Sequence, residues 1–143
     1  GPKEDGTLDE RQVKILEDLG TFIHDNEEAI YETEKGISYD HFLGGSTLSA
    51  DKKVLYLFVY DKPSENLCVK GIKTPVKKVS VLHTGEELSF SYTGSLPWSG
   101  IPGTLWIRAD QMKEHPLVTV LKVALEGEIT FNVGHGEVVT NND

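Results

Sequence analysis

Val54-Leu55-Tyr56-Leu57-Phe58-Val59-Tyr60 decides the fold of this chain. The run is apolar on both faces and β-branched or aromatic at most positions. It reads as a strand covered from both sides, at the centre of a sheet. The turn cluster Asp61-Lys62-Pro63-Ser64-Glu65-Asn66 stops it, and Leu67 and Val69 then resume one face. Further on, Val79 and Val81 alternate with Lys78 and Ser80, and Leu88, Phe90 and Tyr92 with Ser89 and Ser91. Leu105 and Ile107 follow, then the apolar segment Leu117 to Leu125, then Ile129, Phe131 and Val133. With a weak strand around Ser46 to Leu48, the sequence predicts about eight short strands separated by turn signals. That pattern implies a mainly β fold: an antiparallel β-sandwich of Greek-key or immunoglobulin-like class. No helical pattern lies between the strands, which argues against a parallel α/β sheet.

Upstream the period is helical. Ile15, Leu16, Leu19, Phe22 and Ile23 form one apolar stripe, with Arg11, Lys14, Glu17 and Asp18 on the opposite face. Thr7 and Glu10 have capping-box spacing, Asp9 and Glu10 suit the positive end of the helix dipole, and Asn26 is the expected stop. At the other end, Asn141-Asn142-Asp143 contains no apolar residue and is expected to fray.

The 143 residues, 38% of them hydrophobic, suffice for one packed domain. No apolar run approaches the ~18 residues of a membrane span. The charged start Lys3-Glu4-Asp5 does not resemble a secretion leader. A formal charge of −9 argues against nucleic acid as a partner, because phosphate binding needs a basic surface. The single Cys68 excludes an internal disulfide and a cysteine zinc cage.

Sites of chemistry are scarce. The adjacent or near-adjacent carboxylates are Glu27 with Glu28, Glu86 with Glu87, and Glu126 with Glu128. Adjacent strand residues face opposite sides, so Glu86 and Glu87 converge only in a turn, which Gly85 favours at a solvated hairpin tip. The five histidines, His24, His41, His83, His115 and His135, have no metal-ligand spacing; His41 beside Phe42 is expected to be packed or hydrogen-bonded, His135 exposed. No G-x-S-x-G elbow precedes a helix. No catalytic residue, metal site or cofactor site is therefore assigned. Two tryptophans remain as candidate glycan-contacting or domain-contacting groups. Trp98 lies in a loop framed by Pro97, Gly100, Pro102 and Gly103, where its ring can stack on a sugar or plug an interface. Trp106, between Leu105 and Ile107, must face away from them.

Gly1-Pro2-Lys3-Glu4-Asp5-Gly6-Thr7-Leu8 and Asn26-Glu27-Glu28-Ala29-Ile30-Tyr31 together resemble the end of the catalytic barrel in the α-L-fucosidases of glycoside hydrolase family 29. His41-Phe42, Thr47-Leu48-Ser49, Leu55 to Val59 and the loop Pro97 to Gly103 look like the sandwich that follows in a bacterial branch of these enzymes. The family phrase has glycine where this chain has Glu27 and Glu32, which leaves a left-handed residue to be placed at Glu27 or Asn26. The resemblance implies a fragment, with residues 1–35 the terminal helix of the barrel and 36–143 the C-terminal β-sandwich. It implies a retaining glycosidase as parent, whose two carboxylates lie on barrel segments upstream, so that the fragment itself is inactive. The implied partners are the catalytic barrel and, in the alternative of a carbohydrate-binding module, fucosylated glycan; neither nucleic acid nor membrane is implied. It further implies a secreted or periplasmic setting. The helix stripe, without a barrel, must fold on the sandwich or drive self-association.

Overall fold

The apolar runs become strands in the computed structural model, which describes residues 6–94, 98 and 103–132. Helix α1 (Glu10–Asp25) and a short 3-10 turn (Glu27–Ala29) precede nine strands among those residues. These are β1 (Thr33–Lys35), β2 (Gly45–Ser49), β3 (Val54–Val59), β4 (Leu67–Val69), β5 (Val76–Val81), β6 (Glu87–Leu88), β7 (Phe90–Thr93), β8 (Thr104–Ile107) and β9 (Thr119–Leu125). They form two antiparallel sheets: sheet A, in the order β1-β2-β3-β9-β5-β6, and sheet B, in the order β4-β8-β7. The molecule is a β-sandwich with one N-terminal helix.

The strand singled out by its two apolar faces is indeed interior. β3 pairs β2 on one side and β9 on the other, with Leu55 opposite Val123 and Leu57 opposite Leu121. Leu55, Leu57, Leu121 and Val123 point into the space between the sheets, where they meet Val69, Leu105 and Ile107 of sheet B. The alternate residues Tyr56 and Val120 point the other way and pack with Phe22 and Ala29. Three layers result: helix and 3-10 turn, sheet A, sheet B. The double apolarity of β3 follows, since it is covered on both sides.

Several local expectations are corrected. The capping box is formed not by Thr7 and Glu10 but by Asp9, whose Oδ1 accepts from Gln12 N at 2.8 Å, and Gln12, whose Oε1 accepts from Asp9 N at 3.1 Å. The helix starts at Glu10, so Asp9 holds the cap position. Asn26 ends the helix with φ −128° rather than in a left-handed conformation; its side-chain amide and its backbone N–H both donate to Phe22 O. The left-handed residue of this segment is Glu32, with φ 58°, and Lys52 is a second non-glycine residue at positive φ, 60°.

The alternating run Leu88 to Tyr92 is two strands, not one. Leu88 pairs with Val79 in sheet A, whereas Phe90 pairs with Ile107 in sheet B, so the chain changes sheets at Ser89. Both side chains still face the core, which is why alternation alone reads as continuous. A strand at Thr33–Lys35, polar throughout, adds an edge beside β2. The last expected strand is reduced to a single bridge, Phe131 to Ile72; Val133 lies outside the described residues, as do the terminal Asn141-Asn142-Asp143 and the phrase Gly1 to Asp5. Where β1 runs on toward Ile37, Gly36 permits close approach to β2. A Cβ there would lie 2.1 Å from Ser46 Oγ, the group that accepts a hydrogen bond from Ile37 N. No helix among the described residues is long and apolar enough to cross a membrane.

Candidate functional site

Among the described residues, α1 packs on the sandwich through its last turn. Phe22 is buried against Tyr56 and Val120, and Ile23 is half-buried beside it. Ile15, Leu16 and Leu19, on the same stripe, are 54%, 54% and 43% exposed, and Leu8 at the head of the stripe is 43% exposed. The stripe is therefore in part folded on sheet A and in part uncovered.

Two polar knots fix the end of this helix. Glu28 Oε2 accepts from the Tyr56 hydroxyl at 2.6 Å and lies 2.6 Å from Lys122 Nζ. Burial alone would raise the Glu28 carboxyl, but the hydrogen bonds from Lys122 and Tyr56 outweigh it and hold it below the usual carboxylate value. The second knot joins Asp25, at the helix end, to His115, whose Nε2 lies 3.0 Å from Asp25 Oδ2. A carboxylate can only accept, so Nε2 carries the proton. His83 stands edge-on to His115, ring centroids 5.0 Å apart at 89°. Nδ1 of both imidazoles is buried without a hydrogen-bond partner among the described residues. A histidine–aspartate pair invites a catalytic reading, which the burial opposes: the His115 side chain is only 2% exposed, so no substrate reaches it. Sequence spacing missed this cluster, because its members are brought together by α1, the turn after β5 and the segment before β9.

Other histidines and carboxylates fall into structural roles. His41 Nδ1 donates to Lys70 O at 2.8 Å and its ring stacks on Phe131. Gly71, at φ 74°, sits so close that a Cβ would approach His41 Nδ1 to 2.9 Å. Glu86 and Glu87 both follow the expected turn, Glu87 as the first residue of β6, and the N–H of Gly85, at φ 78°, donates to Val81 O. Glu126 and Glu128 are exposed, and His135 lies outside the described residues. Among the described residues no three His, Cys, Asp or Glu side chains are grouped so as to hold a metal ion.

The two tryptophans are not brought together. Trp98, in the β7–β8 connection, is 83% exposed; its neighbours Ser95 to Pro97 and Ser99 to Pro102 lie outside the described residues. Trp106 sits mid-strand on β8, level with Cys68 of β4 and Ser91 of β7, and faces away from the core. Its indole N–H donates to Thr93 Oγ1 at 2.7 Å. Beside it is a shallow depression of about 590 Å³, bounded by Ser64, Glu65 and Asn66 from the β3–β4 loop, Ser91, and Arg108 and Asp110 beyond β8. Continued one step past β8, the alternation that points Trp106 outward also points the exposed Arg108 outward, a signal present in the sequence but unused.

The fold is found again in solved α-L-fucosidases. One from Vibrio sp. strain EJY3 matches at 21% identity with TM-score 0.66 over 92% of this chain and 23% of its own. Alpha-L-fucosidase isoenzyme 1 from Paenibacillus thiaminolyticus matches at 20% identity with TM-score 0.61, over 88% of this chain and 29% of its own. A GH29 α-L-fucosidase from Bacteroides thetaiotaomicron matches at 22% with TM-score 0.60, over 89% and 28%. The chain thus spans less than a third of each of these enzymes, and shares with them the fold of that part. No protein-family model matches the chain, and no curated protein does.

Proposed function

We propose that this chain is the non-catalytic accessory β-sandwich of a retaining α-L-fucosidase. Residues 1–35 would contribute the terminal helix of the catalytic barrel and residues 36–143 the C-terminal domain, in an enzyme that removes terminal α-L-fucosyl groups from glycans outside the cytoplasm. The observation that carries this reading is the overhanging stripe of α1. Ile15, Leu16 and Leu19 of α1, with Leu8 just ahead of the helix, are each 43–54% exposed, in line with the buried Phe22. An apolar helix face that only begins to pack on its own sandwich is matched to a second body. The barrel supplies that body, and the shared fold of the solved fucosidases supports the pairing.

The chain alone is expected to release no nitrophenol from an aryl α-L-fucoside, whereas the polypeptide in which α1 follows a barrel releases it. In that polypeptide, Leu16→Glu with Leu19→Glu lowers the melting temperature by several degrees; in the isolated chain the pair leaves sandwich melting unchanged, since both side chains are already exposed. Turnover by the chain alone would overturn the non-catalytic role. An unchanged melt in the longer polypeptide would overturn the docking.

A second reading, a carbohydrate-binding module for fucosylated glycans, is supported by the 83% exposure of Trp98. Trp98→Ala separates the two. Lost retention on polymeric glycan with normal turnover of a small aryl fucoside favours the module, and unchanged retention removes it.

A further inference from the structure

We propose that the outer face of sheet B carries a cleft for a neutral saccharide, with the Trp106 ring as its platform. The proposal does not rest on the fucosidase reading, because a face that holds sugar does so with or without a barrel.

The argument begins with strand alternation. Leu105 and Ile107 are buried in the core, so Trp106 between them, itself half-buried, lies on the opposite face, which no further layer covers among the described residues. A large aromatic at the centre of an otherwise polar, open sheet face adds nothing to the sandwich core. Its hydrogen bond to Thr93 Oγ1 fixes the indole in place before any ligand arrives, which lowers the ordering cost of binding.

The polar groups beside the ring are open as well. The Arg108 guanidinium shares the depression with Glu65 and Asp110, yet makes no ion pair and no side-chain hydrogen bond among the described residues. Its five N–H donors, the Glu65 carboxylate, the Asp110 oxygen that does not accept from Gln111 Nε2, and the Asn66 amide surround a space of about 590 Å³. That volume lies within the roughly 300–1,000 Å³ typical of small-ligand sites.

Charge selects among ligand classes. One guanidinium against two carboxylates gives the lining a net charge of −1, on a chain of net charge −9. An anionic ligand is disfavoured, and a hydrocarbon ligand would leave most of these groups unpaired. A neutral sugar fits both demands: its C–H face lies on the indole and its hydroxyls pair with guanidinium, carboxylate and amide. The site is also placed to stay open. Sheet A separates it from α1, so covering the helix stripe leaves the sheet B face free.

Titration of the ¹⁵N-labelled chain with lactose, maltotriose and 2′-fucosyllactose tests this, with an anionic disulfated disaccharide as control. The two indole N–H signals report Trp98 and Trp106 separately. At least one neutral sugar is expected to shift the Trp106 signal saturably. Arg108→Gln, at an exposed position, is expected to weaken that binding about tenfold, the weight of one charge-assisted contact. Trp106→Phe retains some binding, and Trp98→Ala leaves it unchanged. Absence of a Trp106 shift with all three sugars overturns the proposal, as does binding of the anionic control alone or a response confined to Trp98. None of these outcomes alters the aryl fucoside result, so the two readings fail separately.

Discussion

His115 donates from Nε2 to Oδ2 of Asp25 across 3.0 Å, tying the C-terminal end of α1 to the segment that leads into β9. The two residues are 90 positions apart, and the imidazole is almost wholly enclosed. Asp25→Ala removes the acceptor and leaves a buried N–H unsatisfied, which costs about 1–3 kcal/mol. A lower urea midpoint is expected at unchanged far-UV circular dichroism. An unshifted midpoint would mean that the helix end contributes nothing to sandwich stability.

His83, edge-on to that pair, gives stability a pH dependence. Burial, and secondarily the neighbouring His115, hold its pKa below the usual 6.5; Asp25 opposes this and Lys113 adds to it. The unfolded chain therefore takes up the His83 proton at a higher pH than the folded one. Its contribution is fully present above the unfolded value and is lost as pH falls through the lowered folded value. Melting temperature should drop between about pH 7.5 and about pH 5.5, and His83→Asn should flatten that slope. Equal slopes in the two proteins would assign the dependence to other groups.

The Tyr56–Glu28–Lys122 knot holds the 3-10 turn on sheet A. Tyr56→Phe keeps the buried ring against Phe22 and deletes only the hydroxyl that donates to Glu28. The expected loss is about 0.5–1.5 kcal/mol near neutral pH. Because the Glu28 carboxyl sits below its ordinary value, its contribution is present above that value and disappears as pH falls through the folded one. The gap between the two proteins should therefore close in acid. Chemical denaturation of both proteins at about pH 7 and about pH 3 checks this; a gap that widens in acid would contradict it.

Periodicity made the sandwich legible because it reports which side chains face a core, and both sheets share one core. For the same reason it could not locate the switch at Ser89, where Leu88 and Phe90 stay inward while their partners change from Val79 to Ile107. Thr33–Lys35 was invisible because an edge strand held by backbone pairing needs no apolar residue. The helix stripe was visible, but how far it packs depends on the length of sheet beneath it, which pattern does not encode. The outward aim of Trp106 followed from its neighbours. The convergence of Glu65 and Asn66 on it depended on loop geometry, and that of Asp25, His83 and His115 on contacts across 90 residues.

Glu32 and Glu27 offer a paired test of the backbone, since both stand where the fucosidase-like phrase has glycine. Only Glu32 adopts a left-handed conformation, at φ 58°; Glu27 begins a 3-10 turn without positive φ. A left-handed L-residue costs about 1–2 kcal/mol. Glycine at position 32 removes that strain but adds about 0.5–1 kcal/mol of chain entropy to the unfolded state. Glu32 is exposed and has no side-chain hydrogen bond or ion pair among the described residues, so no contact is lost. Glu32→Gly should therefore stabilise by about 0.5–1 kcal/mol, whereas Glu27→Gly, with no strain to relieve, should destabilise by a similar amount. Thermal melts of the two variants decide the matter by sign alone. Stabilisation at 27 or destabilisation at 32 would place the strained residue elsewhere in this turn.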